Sequence, residues 1–188
     1  MFSIAKLFAV ALAATTVVTA ATTPQQVVEC FRALTHNAKS LERTAQSISV
    51  INAPLIVIGQ GPFAVIISGF SDQVQIGNTL IELLDNGFTE LTRADEDLVF
   101  YAYEEFSRAE KATLNILIVK AGIAEQVPMV GPPVAAVLRQ VKEVVASISN
   151  TLIQNIQSRA KDFESEAKSL GDTLDLAISK YDGLAQAQ

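Results

Sequence analysis

Along most of this chain, apolar residues return at alternating steps of three and four positions. That spacing places them on one face of an α-helix, which then packs against neighbouring helices. The first such stripe runs from Val27 through Phe31 to Ile48, and it follows Thr23 and Pro24, two residues typical of a helix N-terminus. The same pattern predicts helices over residues 24–50, 62–91, 96–122, 133–154 and 159–182.

Proline, glycine and one shift in the apolar pattern separate the predicted helices. Pro54, the pair Gly61–Pro62 and the segment QVPMVGPP over 126–133 all disfavour regular helix. The stripe shifts by four residues before Ile156, and one helix across that point would be ~75 Å long. We therefore expect a turn around Asn155–Ser158. The sequence predicts a single all-α domain over 21–188, an antiparallel five-helix bundle with an apolar interior cavity.

The most apolar run after the first 20 residues is Ile51–Phe70, which contains no charged residue. A membrane span, an ordinary core segment and the lining of a ligand cavity would each have this composition. Pro54 and Gly59 interrupt the run, which argues against a membrane span. We interpret it as an apolar loop and the start of the second helix. The glycines of this region, including Gly69 and Gly77, indicate that the backbone approaches something closely, such as a neighbouring helix.

The first 20 residues have the pattern of a secretory signal peptide. A single Lys6 precedes a short apolar run, and small residues follow it up to Ala20. We therefore expect a secreted, extracellular protein, with cell-wall association left open. A single Cys30 excludes an internal disulfide. We interpret Cys30 as a small buried side chain, with an intermolecular bridge or a reactive thiol as alternatives.

The charge balance of the expected mature chain is acidic. Removing Lys6 leaves 13 of the 14 basic residues against 20 acidic ones, a net charge of 13 − 20 = −7. Such a surface disfavours nucleic acid and anionic membranes as partners. Apolar partners remain, and the oligomeric state is left open.

The order of these features resembles a known family. The secretion signal is followed by a glycine-rich apolar start of helix two, the segment Asp95–Leu98, and a last third that begins VGPPVAAVLRQVKEVV. Together they resemble the fungal hydrophobic surface-binding protein A and cell-wall galactomannoprotein family. The resemblance implies adsorption to hydrophobic surfaces, in some members with recruitment of a polyester-degrading enzyme, and capture of fatty acids inside the bundle. The family's Ser/Thr-rich tail is missing here, and Cys30 has no matching role.

Two functions are therefore expected. The first is a fatty-acid carrier that holds an acyl chain inside the bundle, where each buried methylene contributes about 0.8 kcal/mol. The alternative is an adhesin that coats apolar surfaces and recruits a secreted hydrolase. Ser68 is a possible contact for a ligand carboxylate. The predicted cavity lining consists of large apolar residues of helices two to four: Phe63, Ile66, Ile67, Phe70, Val74, Phe88, Phe106, Leu117, Leu138 and Val141.

Residues for catalysis are scarce in this sequence. There is no G-x-S-x-G motif, no His or Cys cluster with metal spacing and no phosphate-binding loop. The only histidine, His36, lies between polar neighbours. The acidic run Asp95, Glu96 and Asp97 is typical of a helix start, where carboxylates interact favourably with the helix dipole. We expect no enzyme activity, no cofactor and no metal site.

Overall fold

The computed structural model describes residues 21–88, 90–124, 127 and 130–186. The signal peptide predicted over 1–20 lies outside this range, as does part of the connection predicted at 126–133. The prediction of an all-helical bundle is confirmed. The α-helices are α1 (Pro24–Gln46), α2 (Gly61–Asp85), α3 (Arg93–Ala124), α4 (Gly131–Asn155) and α5 (Ala160–Gln186), with 3₁₀ helices at Ala53–Ile58 and Gln157–Arg159.

Side-chain caps fix the starts of α1 and α3. Thr23 and Gln26 form a reciprocal capping box, in which each side chain bonds the other residue's backbone N–H. Thr92 and Asp95 do the same before α3, with the Asp95 N–H donating to Thr92 Oγ1 at 3.2 Å. Thr23 caps α1 where the sequence predicts a helix start, whereas α3 begins at Arg93, three residues before the predicted start at residue 96.

The ends of α1 and α2 come earlier than predicted. After α1, Asn52 accepts a hydrogen bond from the Ser49 N–H and donates one to the Ser47 carbonyl, both at 2.8 Å, and so closes a turn in place of more helix. After α2, Gly87 has a φ of 71°, which ends the helix. Phe88 and Leu91, which fall inside the helix predicted over 62–91, therefore lie in the connection to α3.

The break between α4 and α5 lies where the apolar pattern shifts. Arg159 forms ion pairs with Asp97 and Asp162, and Ser158 donates a hydrogen bond to Glu96 at 2.6 Å. These contacts tie the turn to the start of α3. The predicted turn around Asn155–Ser158 is confirmed.

The helices pack in a closed cycle. Helix α1 contacts α2 and α3, α4 contacts α2 and α5, and α3 and α5 complete the cycle. Helices α2 and α3 are not among the closely packed pairs, so they face each other across the interior. None of the helices in the described ranges is long and apolar enough to cross a membrane.

Aromatic rings fill much of this interior. Phe31 and Tyr103 meet edge to face with 5.6 Å between ring centroids, and Phe63 meets Tyr181 at 6.4 Å. The hydroxyl of Tyr103 hydrogen bonds to Ser149 at 2.9 Å, and that of Tyr181 donates to a backbone carbonyl of α3. The buried tyrosines are thus both packed and paired.

Two glycines of α2 let neighbouring helices approach closely. A Cβ at Gly69 would collide with Leu41 of α1, and a Cβ at Gly77 would collide with Val144 of α4. The close approach that the sequence indicates is therefore to neighbouring helices.

Candidate functional site

The predicted lining residues lie mostly in a filled core. Ile67 and Val74 are partly buried against it, and so is Phe88 in the turn after α2. Ser68 is exposed on the outer side of α2, away from the interior. The remaining members are buried: Phe63, Ile66, Phe70, Phe106, Leu117, Leu138 and Val141.

A small cavity lies among α1, α2, α3 and α4. Its volume is about 10 Å³, which is room for about one water molecule. Three predicted lining residues, Val74, Phe106 and Val141, contact it. An acyl chain does not fit in this closed conformation. The walls are completed by Leu34, Gln73, Gly77, Val144, Val145 and Ile148.

Six of the ten large apolar residues that are exposed in the described ranges lie close together in the sequence, between α1 and the start of α2. The other four are dispersed over α3 and α5, and the most exposed of them is Val119. We call residues 50–65 the apolar strap. Ile51 is 91% exposed, Val57 73% and Ile58 66%. Val50, Leu55 and Val65 are also exposed. Large apolar side chains concentrated in one exposed segment are typical of a contact surface.

Local backbone geometry explains why the strap does not fold inward. The 3₁₀ helix is only six residues long and begins with Ala53 and Pro54. Gly61 then adopts a φ of 81°, and a Cβ there would lie 2.8 Å from Leu55 Cβ and 2.9 Å from the Asn52 carbonyl oxygen. Only glycine fits this junction, so the chain turns sharply into α2 and leaves the 3₁₀ side chains outside.

The strap is nevertheless attached firmly to the bundle. Ala53 is fully buried and Ile56 packs against the core. At its N-terminal side, Lys120 of α3 donates a hydrogen bond at 2.8 Å to the backbone carbonyl of Ile48, a buried residue. The exposed side chains therefore project from a fixed support.

The strap belongs to the longest uncharged part of the described chain. Residues 44–71 contain no Asp, Glu, Lys or Arg, although the whole chain has 20 acidic and 14 basic residues. An uncharged apolar face on an acidic protein suits a neutral apolar partner.

The structure also reveals an interior polar pair that our sequence reasoning missed. Gln73 of α2 is 3% exposed and Glu110 of α3 is fully buried. Gln73 Nε2 donates a hydrogen bond to Glu110 Oε2 at 2.9 Å. Gln73 Oε1 and Glu110 Oε1 have no hydrogen-bond partner among the described residues. Burial raises the pKa of Glu110 to about 7, and the bond from Gln73 opposes that rise.

A sequence signal for this pair did exist. Gln73 lies three residues after Phe70 and four before Gly77, and Glu110 lies four residues after Phe106. Both positions are in phase with the buried stripes of their helices. The predicted stripe passed from Phe70 to Val74 because Gln73 is polar.

The remaining chemistry-bearing residues have structural partners or are exposed. Asp95 caps α3, Glu96 and Asp97 hold the α4–α5 turn, and His36 is exposed. Cys30 is partly buried against the core, and its pKa is raised by burial and by the charge of the neighbouring glutamate. This placement agrees with a thiol that packs as a small side chain.

Fold and surface together define a helical-bundle protein with an exposed, uncharged apolar segment and a polar pair in its interior. No protein-family model matches the chain, and none of the curated proteins compared with it matches either.

Proposed function

We propose that this protein is secreted and binds hydrophobic surfaces through the apolar strap. The observation that carries the proposal is the exposure of Ile51, Val57 and Ile58 on a support fixed by buried residues. Contact with an apolar surface removes these side chains from water, and each fully buried Val or Ile contributes about 1.5–3 kcal/mol. The surface would be the outside of a fungal cell wall or an apolar material in the medium, where adsorbed protein recruits a secreted hydrolase.

The lack of charge in the strap supports a neutral partner. Adsorption driven by apolar contact depends little on simple salt and is strengthened by sulfate, whereas binding driven by charge weakens as salt rises. We expect adsorption to uncharged alkyl-coated beads to change little with sodium chloride and to increase with sulfate.

A second candidate function is the lipid carrier, an antiparallel five-helix bundle that opens to hold an acyl chain. Short connections between α2 and α3 and between α4 and α5 support the antiparallel arrangement. Gln73 lines the small cavity, and its incompletely bonded pair with Glu110 favours this function, because a buried polar group without a partner is costly unless something binds it. A fatty acid or another single-chain lipid is the expected cargo.

The test is adsorption to octyl-coated beads by the full secreted protein. The strap variant carries Ile51→Ser, Val57→Ser and Ile58→Ser, and we expect it to bind at least tenfold more weakly than the wild type. The matched control carries Leu98→Ser and Leu176→Ser, which are exposed apolar residues on α3 and α5. Leu98 lies 22 residues before Lys120, about 33 Å along the helix from the strap.

Equal loss of binding in the strap and control variants would contradict the proposal, because apolar surface anywhere on the molecule would then suffice. Full binding by the strap variant would contradict it as well.

A further inference from the structure

The interior pair offers hydrogen-bond acceptors to whatever reaches it. One N–H bond joins Gln73 to Glu110, and the atoms left without a partner among the described residues are both oxygens. An amide oxygen accepts hydrogen bonds, and so does an ionised carboxylate. When Glu110 is ionised, above its pKa of about 7, a group that satisfies this pair must therefore donate a hydrogen bond.

No positive charge in the described structure accompanies the pair. The shift in the Glu110 pKa comes from burial and from Gln73, without a contribution from any Lys, Arg or His. The lysine of α1, Lys39, pairs with Glu105, and Lys111 of α3 pairs with Glu166 of α5. A negatively charged ligand group would meet a second carboxyl group here with nothing to balance it.

The cavity next to Gln73 has the size of one polar atom with its hydrogen. It measures about 10 Å³, and its other walls are apolar side chains and Gly77. A single hydroxyl group fits this volume, whereas a hydrocarbon tail requires the walls from α2 and α4 to move apart. The site thus combines one small polar contact with apolar surroundings, as the binding site for a lipid head group does.

We propose that Gln73 and Glu110 bind the neutral hydroxyl group of a single-chain lipid, such as a long-chain alcohol, in the interior of the bundle. The inference rests on the carrier function proposed above, and it specifies the ligand. The hydroxyl donates to Gln73 Oε1 or to Glu110 Oε1, and the tail lies among the apolar residues of α2 and α4. An ionised fatty acid is disfavoured, because its carboxylate brings acceptors and a like charge to a site that needs a donor.

The test compares three ten-carbon ligands by calorimetric titration at pH 8. 1-Decanol offers a donor, methyl decanoate offers acceptors only, and decanoate carries a negative charge. We expect decanol to bind about tenfold more tightly than methyl decanoate, as one hydrogen bond at a buried site allows. We expect decanoate to bind most weakly.

Two variants locate the effect at the pair. In Glu110→Gln the new amide donates a hydrogen bond to Gln73 Oε1. The ratio of the affinity for decanol to the affinity for methyl decanoate should therefore fall towards one. Decanoate should bind more tightly to this variant than to the wild type, because the like charge is gone. Gln73→Leu should also remove the preference for decanol, and Glu110→Gln keeps the test decisive if Gln73→Leu does not fold.

Decanoate binding as tightly as decanol to the wild type would overturn the inference, and so would unchanged ligand ratios in Glu110→Gln. Failure of all three ligands to bind would overturn it together with the carrier function. Adsorption of the same sample to octyl-coated beads reports separately on the strap, so failure of the interior site is distinguishable from failure of the surface function.

Discussion

The apolar strap and the interior pair depart from the usual burial rule in opposite directions. Residues 50–65 keep Ile51, Val57 and Ile58 in solvent, whereas Gln73 and Glu110 place polar groups in the core. Apolar side chains are usually inside, and buried polar groups are usually fully hydrogen bonded. Each region therefore lacks a partner. The strap exposes apolar side chains to solvent, and the interior pair has two oxygens that accept no hydrogen bond from the described residues.

The two regions differ in what a ligand must do to reach them. The exposed side chains of the strap can contact a ligand without any rearrangement of the protein, because their support, which includes Ala53 and Ile56, is already packed against the core. Gln73 of the pair lines a cavity of only about 10 Å³, so binding of a lipid there requires the helices to separate. This difference is why surface binding is the better supported function and interior binding the second one.

The largest expected effect is a pH dependence of stability that comes from the interior pair. Burial raises the pKa of Glu110 in the folded state to about 7, above the ordinary glutamate value of 4.5. The folded state holds the proton in this window and the unfolded state releases it, so stability falls as pH rises from about 4.5 to 7. The loss is roughly 3 kcal/mol. Urea unfolding at several pH values measures it.

The matched control for this pH effect is Glu110→Gln, which removes the ionisable group and keeps the shape. Its free energy of unfolding should not show the contribution of Glu110, so the difference in stability between wild type and variant should change by roughly 3 kcal/mol between pH 4.5 and 7. Parallel pH profiles for the two proteins would contradict a raised pKa of Glu110 in the folded state.

A smaller effect is expected at the close contact of α2 with α4. Gly77→Ala places a methyl group against Val144, and overpacking of this kind costs about 1–3 kcal/mol. The same change at Gly171 of α5 meets open space and should stabilise the protein by up to about 1 kcal/mol. Thermal unfolding of both variants tests this. Equal effects at the two glycines would contradict the close packing of α2.

Lys120→Met should have an effect of about 1 kcal/mol, because it removes the hydrogen bond to the Ile48 carbonyl and keeps the aliphatic stem. We also expect faster hydrogen exchange in the backbone around Ala53 and Ile56, since the strap loses one attachment. Unchanged exchange there would show that Lys120 does not fix the strap.

The smallest effect on stability is expected in the strap itself. Val57→Ser and Ile58→Ser change exposed side chains, so the free energy of unfolding should shift by no more than about 0.5 kcal/mol. Urea unfolding measures this shift. A loss of several kcal/mol would mean that these residues belong to the core, which would remove the basis for a contact surface.

Helical periodicity predicted most of the fold. The capping residue Thr23 and the turn at Asn155–Ser158 could be predicted from local sequence, because each depends on neighbouring residues. The early end of α1 depends on the side chain of Asn52, which periodicity does not report.

The candidate sites were harder to predict than the fold. The segment that became the strap was recognised as apolar, but its exposure depends on the turn at Gly61 and on what the bundle can cover. Gln73 and Glu110 were missed, because they meet across the interior between helices that are not close neighbours. The pattern within each helix places both positions on a buried face, but it does not show that the two side chains meet.

The most direct test of the central claim uses fluorescence, since the chain contains no tryptophan. Val57→Trp places a reporter in the strap, and Leu98→Trp places one near the start of α3. With uncharged dodecyl maltoside micelles as the apolar surface, the account predicts a blue shift of the emission at position 57 and none at position 98. A shift at position 98 alone, or at neither position, would contradict binding through the strap.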